Sequence, residues 1–362
     1  MKQFISFILT LAFLISGCAT GSKDVKKLIG SKKNLSGKNL AGSDMRGMEL
    51  SGFILTSANM RGCRLDKASL EGSDMRKVIL ASASMNNVKA RGVKLDGADL
   101  QKADLKDGDF RNSSMRNADL RKASLIHVNL EGADLRGARL YGADLSGSRM
   151  QGVNLTGADL MRAVLTGVDL KKSRIINADM SGAFLSRADL EKATVSGTNF
   201  FGADLKGVNI KGARLKNNKF YFSNLSNIKL QGRTMHSARF NGADLSHADL
   251  RKVTLRSAEM NGVNLQGANI AGADLSGARF VGSKLMRADF SRANLTGASF
   301  KGADLSDADF SNANLSGADL STTQLRRVRL YGAVMVGTSC NRKYRDLLIS
   351  QGVRINRINW VK

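Results

Sequence analysis

An apolar residue occupies every fifth position of this chain from Leu35 through Leu40, Met45 and Leu50 to Met335, making 61 positions in one phase without insertion or deletion. Only Ala90 among them is small. Two residues before each central position runs a second register, mostly Ala, Ser, Val or Thr, as at Ala98, Ala103, Ser148, Val153 and Ala268. A period of five matches neither the ~3.6 of a helix nor the ~2 of a strand, so the chain must turn between phrases. Glycine supplies the turn: of 37 glycines, 32 stand two residues after a central position. That slot suits the third residue of a type II turn, where φ is positive. Where it holds Lys67, Lys77 or Asp107 instead, another turn type is expected.

Ala-Asp-Leu recurs at 98–100, 133–135, 303–305 and 318–320, and on this phrase the chain resembles the pentapeptide-repeat family over about 305 of its 362 residues. The resemblance implies an all-β fold, a right-handed quadrilateral parallel β-helix with four phrases to each 20-residue coil. The 61 phrases then make about 15 coils, and a rod about 70 Å long at the roughly 4.8 Å spacing of stacked strands.

The two ends break the period. Residues 1–17 begin with one cation, Lys2, and an apolar run from Phe4 to Ile15 that is too short to span a bilayer. The stretch reads as a signal peptide. Ile15-Ser16-Gly17-Cys18 also resembles a bacterial lipobox, which implies cleavage before Cys18 and acylation of that residue. Two or more acyl chains anchor a protein stably, and Ala19 after the cysteine favours the outer membrane by analogy with enteric bacteria. Residues 18–32 form a basic tether and 33–340 the repeat body. Lys33 and Lys38 stand in small inward slots, so the first coil is expected to fray with its lysines turned outward. Residues 341–362 read as a short helix carrying Tyr344, Leu347 and Leu348, then an extended tail ending near Trp360. An open β-helix end needs a cap; a homodimer through this segment is the alternative.

Within the body, Ala90 underfills the core, while Asn218 and Arg233 stand in small inward slots. Weak coils are expected at both places, with the two polar side chains escaping at corners. A lag of 20 predicts interior ladders of Phe200, Phe220 and Phe240, of Phe280 over Phe300, and of Phe290 over Phe310. Cys63 falls in an inward slot and Cys340 ends the repeat; at about 65 Å apart along the expected rod they cannot bridge each other.

Charge narrows the function classes. The formal net charge is +25 and the pI near 10.3, with the cations spread over several faces. Attraction to lipopolysaccharide or another anionic envelope polymer is one reading; nucleic acid is not expected as the partner of an exported protein. Acidic pentapeptide-repeat proteins resemble duplex DNA and occupy the DNA site of type II topoisomerases, but a rod of opposite sign cannot imitate a polyanion. His127, His236 and His247 are the only histidines, and no HExxH or paired-Cys spacing is present. No enzyme, metal site or cofactor is expected.

One outward feature departs from the phrase. At a lag of 20, Tyr141, Met161, Phe201 and Tyr221 share a column, with Val164 and Phe184 beside it and Phe222 adjacent. Grouped exposed aromatics suggest a contact surface. The sequence therefore points to a membrane-anchored, non-catalytic scaffold of the bacterial envelope that docks a protein or lipid partner through this strip.

Overall fold

The computed structural model describes residues 33–235 and 238–361, so the expected signal segment and Cys18 lie outside the described residues. Packing divides the chain into two compact units, Met1–Asp179 with Asp189–Thr194, and Met180–Ala188 with Val195–Lys362. The phrase folds the same way in both. Along most of both units the residue before the central position bridges its counterpart 20 residues on in parallel, as Asp99 does with Asp119 in the first unit and Asp244 with Asn264 in the second. Between bridged coils the Leu100 N–H donates to the Asp119 carbonyl at 2.7 Å, and the Asp119 N–H to the Ala98 carbonyl at 2.8 Å. The central side chains and the small register before them fill the interior. Each unit is thus a β-helical solenoid with parallel pairing.

The turns depart from expectation in one respect. Gly97 has φ +65°, and its turn closes with the Ala98 N–H donating to the Leu95 carbonyl at 3.0 Å. Lys67, Lys77 and Asp107 do not switch to another turn; they take φ of 60°, 57° and 56°, the same left-handed conformation. Their N–H groups are held by the next coil, Lys67 donating to the Asn86 carbonyl at 2.8 Å and Lys77 to Asp96 at 2.9 Å. That ladder fixes the backbone whatever the side chain, against a left-handed cost of about 1–2 kcal/mol for a non-glycine residue.

Bridging explains the Asp or Asn before the central residue. Its side chain faces outward and accepts the N–H of the first turn residue, as Asp159 does from Met161 at 3.0 Å and Asp304 from Ser306 at 2.9 Å. The acids are turn caps. Where Arg follows, its guanidinium grips the same carboxylate, as in Arg46–Asp44 and Arg251–Asp249, both at 2.6 Å.

The anticipated weak coils are built differently. Ala90 is fully buried, and Phe110 lies in its column one lag on. Gly108 makes room for that ring: a β-carbon there would stand 2.6 Å from Phe110 and 3.2 Å from Val88. The first coil is not frayed either, since Leu35 and Leu40 are buried and Leu35 donates to Ile54 at 2.7 Å, although Lys33 and Lys38 do turn outward. Asn218 does not escape at a corner. It is 5% exposed, donating its amide to the Val195 carbonyl and accepting the Thr198 N–H. Arg233 turns its guanidinium to the carbonyls of Ala213 and Ile210, both of which precede strand β1 (Arg214–Lys216) in sequence. Some other polar residues in the inward register do the same on a smaller scale, Ser148 donating to Leu125 and Ser283 to Met260. The inward slot therefore offers a carbonyl, and a donor of any length can use it.

In the second unit the phenylalanine ladders stand as expected. Phe200–Phe220 and Phe220–Phe240 stack at 5.3 and 5.1 Å, Phe280–Phe300 at 5.0 Å and Phe290–Phe310 at 4.9 Å. The last two ladders also meet edge-to-face, Phe290 touching Phe280 and Phe300 at 6.1 Å, so four rings interlock rather than form two separate columns.

Strands β2 (Asp319–Leu320), β3 (Ser339–Asn341) and β4 (Asn359–Val361) close the second unit as a parallel sheet. Between β3 and β4 lies helix α1 (Arg345–Ser350), with Leu348 buried. The register survives this interruption: Ser339 pairs with Asn359 and Cys340 with Trp360, again 20 apart. The cap also serves the last N–H groups of the solenoid. Leu325 donates to the Tyr344 hydroxyl at 3.3 Å, that hydroxyl donates to the Thr323 carbonyl at 3.2 Å, and Leu330 donates to the Gln351 side-chain oxygen at 3.4 Å.

Candidate functional site

The expected aromatic strip divides between the units. Tyr141, Met161 and Val164 belong to the first and are half-buried. Phe184, Phe201, Tyr221 and Phe222 belong to the second, where Phe184 is 50%, Phe201 49% and Phe222 63% exposed, and Tyr221 is half-buried. Exposure is therefore concentrated in the second unit.

There the structure brings Phe201 and Phe222 into direct contact. Phe201 is the first turn residue after buried Phe200, and Phe222 the second turn residue after buried Phe220. One lag apart plus one residue, their rings meet edge-to-face with centroids 5.5 Å apart and planes at 62°. Phe222 stands in the slot where glycine usually sits, at φ 55°. Its ring projects over Gly242 in the next coil, which has no side chain to obstruct it. The aromatic in a glycine slot was visible in the sequence; the bare glycine one coil on is the signal that shows where the ring lies.

Polar groups border the pair. Asp204 bridges Phe184 in the backbone, and its carboxylate accepts the Ser186 hydroxyl at 2.5 Å and the Asn224 amide at 3.0 Å. Arg187 and Lys219 are exposed cations of the same unit. The patch is an edge-to-face apolar pair with a hydrogen-bonded carboxylate of the same unit at Asp204. Sequence reasoning missed a second exposed apolar group at the close of this unit, Tyr331, Val334, Val336 and Ile349.

Among the described residues no group of three or more His, Cys, Asp or Glu could hold a metal ion, and no helix is long and apolar enough to cross a membrane. Burial pushes the thiols of Cys63 and Cys340 up to about 11, so neither is a ready nucleophile. The shifted carboxylates move the other way: the hydrogen bond from Arg251 holds Asp249 low, and those from Arg136 and Arg116 hold Asp134 at about 2. These acids stay ionised as turn caps.

The family model for pentapeptide repeats matches in a series of spans, some of them overlapping, from residues 34–72 to 303–339. No curated protein matches significantly. Among solved structures, the chain is similar to HetL, a pentapeptide repeat protein involved in heterocyst differentiation regulation from the cyanobacterium Nostoc, at 25% identity over 86% of this chain and 94% of that one, with a TM-score of 0.19. It is similar to a pentapeptide repeat protein of the Arabidopsis thaliana thylakoid lumen at 29% identity over 34% of this chain and 77% of that one, TM-score 0.17. It is also similar to full-length QnrB1, a plasmid-mediated fluoroquinolone resistance protein, at 19% identity over 67% and 99%, TM-score 0.19.

Proposed function

This chain belongs to the pentapeptide repeat family, and from that premise we propose that it is a non-catalytic interaction scaffold of the bacterial cell envelope. Its partner docks on the aromatic surface of the second unit, and a lipid on Cys18 holds it to a membrane. The finer geometry we assign is a right-handed, four-sided coil repeated about 15 times over residues 33–340, with residues 341–362 as the cap. The observation that carries the docking role is the Phe201–Phe222 pair, 49% and 63% exposed and in edge-to-face contact. Aromatic side chains have few rotatable bonds and so lose little entropy when a partner covers them, which suits an anchor at the centre of an interface. The anchor is supported by the apolar run before Ile15-Ser16-Gly17-Cys18.

Crosslinking in intact cells followed by mass spectrometry tests the reading. A protein captured by the native chain and lost from the Phe201→Ser/Phe222→Ser variant supports it; an unchanged set of captured proteins sinks the aromatic site. Palmitate labelling that disappears in Cys18→Ser tests the anchor separately.

The net charge of +25 favours a second reading, a cationic binder of lipopolysaccharide or another acidic envelope polymer. Such binding weakens steeply as salt rises, whereas docking through the aromatic pair persists.

A further inference from the structure

The ladder of the second unit opens at one level. Bridges continue past it at Asn199–Lys219–Arg239 and Asp204–Asn224–Asp244. In the neighbouring columns, among the described residues, no bridge joins Arg214 of β1 to Thr234, although Thr234 bridges Thr254 normally. The N–H groups of Ile210, Gly212 and Leu215 have no described acceptor, where their counterparts Leu230, Gly232 and Met235 donate to Asp249, Arg251 and Thr254 at 2.8–2.9 Å. On the facing lip the N–H groups of Lys229 and Thr234 are likewise unpaired among the described residues. A cavity of about 210 Å³ lies in the opening, with Leu215, Asn218, Thr234 and Met235 among its walls. Leu215 is half-buried, whereas Val195 and Met235, one lag before and after it, are buried.

Arg233 accounts for the opening. A guanidinium in a slot built for Ala or Ser occupies the carbonyls of Ala213 and Ile210; by the pattern elsewhere, Ala213 would accept the Thr234 N–H. Around it the charge is one-sided. No Asp or Glu occurs between Asp204 and Asp244, while Lys216 lines the opening and Lys211, Arg214 and Lys229 belong to the segments whose ladder is broken there. Elsewhere the outward carboxylates partner such cations, as Asp249 does Arg251; Lys211, Arg214 and Lys216 form no ion pair among the described residues.

We propose that this opening is a docking cleft for an acidic polypeptide segment in extended conformation, which enters as an additional strand between β1 and residues 229–235. Two observations select that occupant. Unpaired N–H groups on both lips, together with the free carbonyls of Lys229, Gln231 and Thr234, call for a ligand that alternates acceptors with donors, which an extended backbone does. The cations without counter-charges call for carboxylates projecting beside it. An acidic polysaccharide would satisfy the charges but present no regular row of N–H donors. The site is separate from the Phe201–Phe222 pair and stands or falls without it.

The test uses the full chain and a fluorescent peptide of alternating Glu and Val, read by anisotropy and by amide hydrogen exchange. The peptide is expected to bind and to protect the Ile210, Gly212 and Leu215 amides, which exchange quickly in the free protein. Lys211→Glu/Arg214→Glu/Lys216→Glu is expected to weaken binding at least about tenfold while leaving the thermal unfolding curve and the Phe201→Ser response in place. A peptide of the same charge with N-methylated backbone should fail to bind. Equal binding by that peptide, or equal protection of the same amides by a sulfated polysaccharide, would show a site for polyanions at large and overturn the proposal. Slow exchange of the three amides before any ligand is added would overturn it as well. Arg233→Ala provides an independent check: with a small residue restored, the lips should pair, the amides should become protected and peptide binding should be lost.

Discussion

The ring of Phe222 occupies the place where a side chain on Gly242 would begin: a β-carbon there would stand 2.5 Å from two of its carbons. Gly242 itself has φ +69°. Gly242→Ala therefore meets both a left-handed backbone penalty and the ring, and stability should fall by about 1–2 kcal/mol, read as a lower denaturant midpoint. Adding Phe222→Gly should restore a measurable part of the loss because the obstruction is gone. A double variant no more stable than Gly242→Ala would mean that the ring does not lie there.

Phe290 stacks on Phe310 and meets both Phe280 and Phe300 edge-on. Phe290→Ala should cost about 3–5 kcal/mol, as for other buried aromatics. Phe201→Ala, removing a half-exposed ring, should cost less than about 1 kcal/mol. Urea denaturation of the two variants side by side separates interior from docking aromatics.

Tyr344 holds two backbone groups of the last coil through one hydroxyl, accepting from Leu325 and donating to the Thr323 carbonyl. Tyr344→Phe keeps the ring and loses both bonds. A loss of about 1–2 kcal/mol is expected, with faster exchange of the Leu325 amide and little change at Leu100, in the other unit.

Asp134 is held at about 2, first by the side-chain hydrogen bond from Arg136 and then by that from Arg116. Its folded value lies below the usual carboxylate range, so its stabilising contribution is complete above about pH 4 and fades as pH falls toward 2. Carboxyl-carbon NMR should show this low midpoint, and Arg136→Gln should raise it. A midpoint of Asp134 at an ordinary carboxylate value would contradict the geometry.

Much of the fold could be read directly because a five-residue period and a 20-residue lag predict both burial and pairing. Phe280 and Phe300 could be placed in one column from their numbers alone. The turns at Lys67 and Asp107 could not be read from side-chain preference, because bonds to the next coil dictate φ there. Ala90 looked like a defect until Phe110 and Gly108 were considered together. At the candidate site, the columns identified Phe184, Phe201 and Phe222 as outward, but not that Tyr141 and Met161 in the same column would be half-buried. Arg233 was recognisable as misplaced; that its guanidinium would turn inward to carbonyls depended on bonds the sequence does not display.

The tail strand pairs Asn359 with Ser339 and Trp360 with Cys340, keeping the count of 20 although a helix intervenes. The segment between the strands thus replaces one turn of the solenoid residue for residue. A chain closed in this manner has no preferred length. Duplication or loss of any 20-residue block would leave both the ladder and its closing strand in register, so such genes can grow and shrink by whole coils without redesigning their ends.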